Sequence, residues 1–124
     1  MVLVNYSKYR FFQKAEQLVP EIYKVTKSFP KDEKYGISNE LKKEARNIGL
    51  NISSGAASDD IKQFRQSLEY AIRSCKKVEY NLKIAKEMEY ISVNTYDRLI
   101  DFMGGITGPL IVYVNKIKES QKNE

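Results

Sequence analysis

The chain has 124 residues, of which 42% are hydrophobic and 30% charged, with no histidine, one cysteine and a formal net charge of +5. This length and balance predict a single soluble domain covering residues 1–124, not a disordered chain. Without histidine or a second cysteine, Ser-His-Asp and Cys-His catalysis are excluded, as is a metal site of histidines or thiolates. No stretch of the sequence carries a catalytic signature either, and we predict that the protein is not an enzyme and has no catalytic residue, metal site or cofactor.

No apolar run in the sequence approaches the ~20 residues that a membrane-spanning helix needs. Residues 1–5 lack the charged start and the long apolar core of a signal peptide. A single cysteine also allows no internal disulfide, as is typical of reducing compartments. We predict a cytoplasmic protein that makes no membrane contact.

A first helix is predicted to begin near Tyr6 or Ser7, where apolar residues take up helical spacing. Pro20 falls inside this pattern, and we expect it to kink the helix without ending it, because the apolar phase continues beyond it. Residues 28–36 are predicted to form a turn, since Pro30 pushes the residue before it out of the helical region.

A second helix is predicted from about Tyr35 or Ser38 to Ser54. Gly49 inside it costs about 1 kcal/mol relative to alanine, which is typical of a close helix crossing. Gly55 fits a C-terminal stop.

The third helix carries the most regular pattern in the chain, between residues 58 and 88. Its apolar positions alternate spacings of three and four: Ile61, Phe64, Leu68, Ala71, Cys75, Val78, Leu82 and Ala85. This is the seven-residue repeat of a bundle helix. Ser58 is expected to cap the helix, and Cys75 is predicted to pack in the core, the alternative being a reactive thiol.

The fourth helix is predicted to begin after Ser92, a good capping residue. Its apolar phase, from Tyr96 to Ile117, passes through residues 104–109, so we expect one helix with a bend near Gly105. A phosphate-binding loop is the alternative for this glycine-rich segment, but no strand precedes it and no Lys-Ser/Thr pair follows. Residues 119–124 are expected to fray.

Four amphipathic helices with short links predict an all-α fold, an antiparallel up-down-up-down four-helix bundle.

Positive charge is concentrated in the third helix, which carries seven basic and two acidic residues between Ile61 and Lys86. At about 100° per residue, six side chains opposite its apolar stripe share one face. They are Lys62, Gln66, Tyr70, Arg73, Lys77 and Tyr80. Arginine and lysine contact phosphate while tyrosine rings stack on unpaired bases, so this face is a candidate RNA site.

The residues predicted to bind RNA on the third helix are Lys62, Tyr70, Arg73, Lys76, Lys77 and Tyr80. Lys42, Lys43 and Arg46 form a weaker basic group on the second helix, diluted by Glu40 and Glu44. Two alternatives remain open. The two tyrosines of the third helix could instead pack against a neighbouring subunit, or the face could be solvated surface without a ligand.

Several segments together resemble one known family. They are residues 29–36 (FPKDEKYG), 51–55 (NISSG), parts of 64–82, and 84–92 (IAKEMEYIS) with Tyr96. They are similar to the four-helix bundle proteins encoded in 23S ribosomal RNA intervening sequences. The accessory variability determinants of diversity-generating retroelements share that fold and are a sister group. The resemblance implies protomers assembled in a ring, usually a homo-pentamer.

In the retroelement branch, the resemblance implies a basic adaptor that binds a reverse transcriptase and its template RNA. Ser54, Arg73 and Lys76 replace more acidic or neutral residues of the usual intervening-sequence pattern, which favours the RNA-binding branch. Asn51-Ile52 followed by Gly55 is more typical of the other branch.

We predict a non-catalytic RNA-binding adaptor of such a retroelement. The alternative is an intervening-sequence-encoded oligomeric bundle with only protein partners. A homo-oligomer is also indicated by Tyr6, Tyr9, Tyr70, Tyr80 and Tyr90, more aromatic residues than one small core needs.

Overall fold

The computed structural model describes residues 6–123. Its α-helices are α1 (Arg10–Thr26), α2 (Ile37–Ala56), α3 (Ile61–Glu87) and α4 (Val93–Lys122), and a 3-10 turn at Lys31–Glu33 precedes α2. Residues 6–123 contain no strand. α1 packs on α2 and α4, and α3 also packs on α2 and α4, which is the neighbour order of an up-down-up-down bundle. The predicted all-α, four-helix fold is confirmed.

The apolar stripe of α3 forms one side of the core. Of its eight predicted members, the seven from Phe64 to Ala85 are buried, and Ile61 at the first turn is half-buried. α4 contributes Leu99, Met103, Ile106 and Leu110, all at most 1% exposed. Each large apolar side chain buried in this way stabilises the fold by about 1.5–3 kcal/mol.

The cap of α3 differs from the prediction. Asp60, not Ser58, is the capping residue, because its carboxylate accepts a hydrogen bond from the backbone N–H of Lys62. The Ser58 hydroxyl instead accepts from the backbone N–H of Asp60 and so supports the capping turn. At α4 the prediction is confirmed, since the Ser92 hydroxyl accepts from the backbone N–H of Thr95 at 3.0 Å.

Neither glycine of α2 has its predicted role. A Cβ at Gly49 would lie 3.8 Å from a ring carbon of Phe12, an ordinary contact, so Gly49 does not mark a close crossing. A Cβ at Gly55 would lie 2.4 Å from Cβ of Ser67, so α2 and α3 approach each other there. Gly55 lies within the helix, which continues to Ala56, so the predicted stop at this residue is also wrong.

The outer ends of the bundle differ from the sequence expectation too. α1 begins at Arg10, after a 3-10 turn at residues 6–8. Tyr9, between the two, has extended backbone angles (φ −71°, ψ 133°), so the α-helix cannot extend to earlier residues. The C-terminal residues expected to fray are helical as far as Lys122. Residue 124, the last of that predicted tail, lies outside the described residues.

Both internal prolines are accommodated within helices. α1 passes through Pro20, and α4 passes through Pro109 as one helix, so the glycine-rich segment is not a loop. Thr107 in that part of α4 is buried, and its hydroxyl donates a 2.7 Å hydrogen bond to the Glu79 carboxylate of α3. This bond ties the proline-containing part of α4 to α3.

Three of the five tyrosines assigned to a subunit interface belong to the fold of the protomer. Tyr6, Tyr9 and Tyr90 are half-buried and pack against the core. The Tyr9 ring contacts that of Tyr113, with centroids 5.3 Å apart. These three side chains therefore complete the ends of the core, and only Tyr70 and Tyr80 of the five are exposed.

Candidate nucleic-acid interface

The outer face of α3 is as exposed as its helical spacing predicts. Lys62, Gln66, Tyr70, Arg73, Lys77 and Tyr80 all reach solvent. The two tyrosines are 54% and 62% exposed, although they are large aromatic side chains. The face therefore offers aromatic and cationic groups to solvent along several turns of one helix.

Two of these residues contact each other. The guanidinium carbon of Arg73 lies 5.0 Å from the centroid of the Tyr70 ring, a cation–π arrangement. The contact orders two side chains that would otherwise sample several rotamers. It leaves the guanidinium edge free to donate to phosphate.

Two of the predicted phosphate-binding lysines have acidic partners in the chain. The ammonium nitrogen of Lys77 lies 3.7 Å from a carboxylate oxygen of Glu44 in α2, and that of Lys76 lies 3.6 Å from one of Glu79. Both lysine side chains are about 60% exposed, and the Lys76–Glu79 pair adds little to stability. Glu44 is only 3% exposed, so its pair with Lys77 offsets part of the cost of burying that carboxylate. A phosphate group can therefore compete readily for Lys76, and for Lys77 only where another donor replaces it at Glu44. Lys76 pairs within α3, whereas Lys77 reaches across to α2.

The weaker basic group on α2 is divided between two faces. Lys42 lies over the Tyr23 ring of α1 at 5.3 Å, and Arg46 donates a hydrogen bond to the Tyr23 hydroxyl. Lys43 instead faces α3 and lies beside Arg73 and Lys77. The predicted trio is therefore not one patch, and only Lys43 joins the candidate site.

A groove of about 350 Å³ runs between the two helices, here called the α2–α3 groove. It is lined by Lys43, Glu44, Asn47, Asn51, Tyr70, Arg73, Ser74 and Lys77. Sequence reasoning missed Asn47, Asn51 and Ser74, and treated Glu44 only as a diluting charge. A signal for Glu44 was present, because it falls three residues after Leu41 and four before Ile48, in phase with the apolar stripe.

Glu44 is the one acidic side chain that lines the groove among the described residues, and it is only 3% exposed. Its Oε1 accepts a 3.3 Å hydrogen bond from the Asn47 amide, and its Oε2 is the atom near Lys77. This carboxylate belongs to α2 and is paired with a side chain of α3. The groove thus combines cations at its rim with an acceptor at its floor.

The single cysteine belongs to the core, as predicted. Cys75 is fully buried, and burial raises the pKa of its thiol from an ordinary value of 9.0 to about 12. A thiol in this environment stays protonated and unreactive near neutral pH. Within residues 6–123, no three acidic or cysteine side chains are grouped closely enough to hold a metal ion.

None of the helices between residues 6 and 123 is long and apolar enough to cross a membrane.

The fold is similar to that of a crystal structure from Bacteroides thetaiotaomicron, described as a protein of unknown function from the S23 ribosomal protein family. The TM-score is 0.77 at 20% sequence identity, over 84% of this chain and 97% of the other. A comparison with curated proteins found no match. The family model described as 23S rRNA-intervening sequence protein matches residues 7–109, which is most of the chain. The chain therefore belongs to the 23S rRNA-intervening sequence protein family.

Proposed function

We propose that this protein is a non-catalytic RNA-binding protein that holds RNA on the outer face of α3 and in the α2–α3 groove. The observation that carries the proposal is the exposure of two tyrosines next to cations. Tyr70 lies with Arg73, Lys43 and Lys77, and Tyr80 lies with Lys76 and Lys77. Single-stranded RNA is bound by this combination, in which rings stack on bases and cations contact the backbone.

The ion pairs of α3 leave part of its positive charge available. Glu69 is shared by Arg65 and Lys118, and Glu79 pairs with Lys76. Lys62, Arg73 and Lys83 have no ion pair among the described residues. The net charge of +5 adds long-range attraction for a polyanion.

The finer role that we propose is that of a cytoplasmic accessory protein of a diversity-generating retroelement, which binds a reverse transcriptase and its template RNA as a homo-pentameric ring. The support for this role is the resemblance to the accessory variability determinants, together with the basic residues at Arg73 and Lys76. A ring would repeat the α3 face in each protomer, so weak contacts would add through avidity.

A second candidate is an oligomeric bundle protein with only protein partners. It is favoured by a second groove of about 520 Å³, here called the end groove, which lies between the N-terminal end of α2 and the C-terminal end of α3. Several exposed apolar side chains line this groove, together with Glu33 and Glu40. Tyr35, Tyr80 and Met88 are 85%, 62% and 57% exposed there. Exposed apolar groups in such a cluster are typical of protein interfaces.

The experiment that separates the two candidates measures RNA affinity against salt for the wild type and for a variant with Arg73, Lys76 and Lys77 all changed to glutamine. For single-stranded RNA, each phosphate contact contributes about 0.7 to the slope of log affinity against log salt. We expect weaker binding and a flatter slope in the variant, with the fold and the assembly retained. The melting temperature should fall, because Lys77→Gln leaves the buried Glu44 carboxylate without its cation. Unchanged RNA affinity would exclude this face as the RNA site, and loss of assembly instead would favour the protein interface.

A further inference from the structure

The floor of the α2–α3 groove is not what a site for phosphate alone requires. Glu44 is buried there while Lys43, Arg73 and Lys77 surround it. A buried carboxylate repels phosphate, and the repulsion is strongest where water is excluded. Its presence indicates a ligand that brings hydrogen-bond donors to the floor and a negative charge only to the rim.

The existing partners of Glu44 leave room for such donors. The distances to Asn47 Nδ2 (3.3 Å) and Lys77 Nζ (3.7 Å) both exceed the ~2.7–2.9 Å of a strong charge-assisted hydrogen bond. Each carboxylate oxygen has two acceptor sites, so both atoms retain capacity. The Lys77 side chain is 59% exposed and has a flexible stem, so it can move away from the carboxylate when another donor takes its place.

We infer that the α2–α3 groove binds one unpaired guanine base of an RNA strand, with Glu44 reading its Watson–Crick edge. The inference rests on the proposed RNA-binding function. Guanine presents two adjacent donors, N1–H and the N2 amino group, which match the two oxygens of a carboxylate. Adenine, cytosine and uracil do not present two adjacent donors on that edge.

The other lining residues match the rest of a guanine nucleotide. Next to its two donors guanine carries the O6 acceptor, which the Asn47 amide or the released Lys77 ammonium can reach as a donor. Tyr70 and Arg73 form a stacked pair at the groove and offer a flat surface to the base. Lys43 lies at the rim for the adjoining phosphate. A volume of about 350 Å³ is at the lower end for small-molecule sites and suits one base, not a duplex.

The test measures fluorescence anisotropy of labelled 12-nucleotide RNAs with the full-length protein. The strands are oligouridine and the same strand with one central guanosine, adenosine, cytidine or inosine. We expect the guanosine strand to bind about tenfold more tightly than the adenosine, cytidine and uridine strands, as one good two-bond base contact provides. Inosine lacks the N2 amino group, so the inosine strand should lose most of this preference. This comparison uses the unaltered protein.

The matched protein variants are Glu44→Gln and Glu40→Gln. Both remove one negative charge from the α3-facing side of α2, but only Glu44 lines the α2–α3 groove. Glu44→Gln should bind all strands with similar affinity, while Glu40→Gln should keep the guanosine preference. Circular dichroism establishes that each variant is folded. If Glu44→Gln does not fold, the inosine comparison decides the inference.

The outcomes separate the inference from the function on which it rests. Equal affinity of the wild type for all strands would overturn guanine recognition and leave RNA binding intact. If Glu44→Gln still prefers the guanosine strand, another group reads the base. The same conclusion follows if the wild type binds the inosine strand as tightly as the guanosine strand. Absence of binding to every strand would overturn both proposals.

Discussion

The Arg73 guanidinium lies over the Tyr70 ring at 5.0 Å, one helical turn further along the outer face of α3. The tyrosine remains 54% exposed despite this contact, so more than half of its surface is open to solvent. A base that stacked on the exposed part of the ring would rest on a side chain already held in place by the arginine. Substitutions of the tyrosine therefore measure what the ring contributes to RNA affinity.

The tyrosine prediction uses Tyr70→Ala and Tyr80→Ala. Each variant should weaken single-stranded RNA binding by about 1–3 kcal/mol for each base that no longer stacks. Anisotropy titrations at constant salt measure the change. Tyr70→Phe and Tyr80→Phe are the matched controls, because they keep the ring and should bind nearly as the wild type does. Wild-type affinity in both alanine variants would show that neither ring stacks on a base.

The packing prediction concerns the contact between Gly55 and Ser67. A methyl group at residue 55 would collide with Cβ of Ser67, so Gly55→Ala should lower the free energy of unfolding by about 1–3 kcal/mol. Gly104→Ala is the control, since no atom lies within 4 Å of its added Cβ. That substitution should stabilise α4 by about 0.5–1 kcal/mol through helix propensity alone. Urea unfolding measures both, and a stabilised Gly55→Ala protein would contradict the close approach of α2 and α3.

The third prediction follows from the raised pKa of Cys75. Because the folded state holds the thiol proton up to about pH 12 and the unfolded state releases it near 9.0, unfolding releases a proton between these values. This contribution to stability is complete below pH 9 and is lost as the pH rises towards 12. As the pH is raised from 9 to 12, the free energy of unfolding should therefore fall less for Cys75→Ala than for the wild type. Denaturant titrations at several pH values measure this difference.

A reactivity measurement tests the same residue. A thiol reagent at about pH 8 should modify the native protein far more slowly than the protein unfolded in guanidinium chloride. Burial keeps the reagent away from the sulfur and keeps the thiol protonated. Equal rates in the two states would show that Cys75 is accessible in the folded protein.

The fourth prediction concerns assembly. Light scattering after gel filtration should give the mass of a homo-oligomer, with a pentamer expected from the family resemblance. Met88→Glu places a charge at the end groove and should dissociate the oligomer while preserving the fold. Val112→Glu on α4 is the matched control, since Val112 is 54% exposed and Met88 57%. A wild type that is monomeric at micromolar concentration would contradict the oligomer, and assembly unchanged by Met88→Glu would exclude the end groove.

The apolar phase of the helices was readable from the chain because it is a local property. A side chain three or four residues from a buried neighbour lies on the same helix face whatever it packs against. The seven buried members from Phe64 to Ala85 and the continuation of α4 through Pro109 were therefore predictable. So was the exposure of Tyr70 and Tyr80, since they lie opposite the stripe.

The candidate site itself depends on relationships between helices, which residue spacing does not contain. The packing of α2 against α3 brings Glu44 to Lys77 and Lys43 to Arg73. Lys42 and Arg46 contact Tyr23 of α1 instead. Three neighbouring cations on one helix therefore separate onto two faces of the bundle. Local periodicity sets which side of each helix is buried, whereas helix separation and rotation about the axis set which side chains meet across a groove.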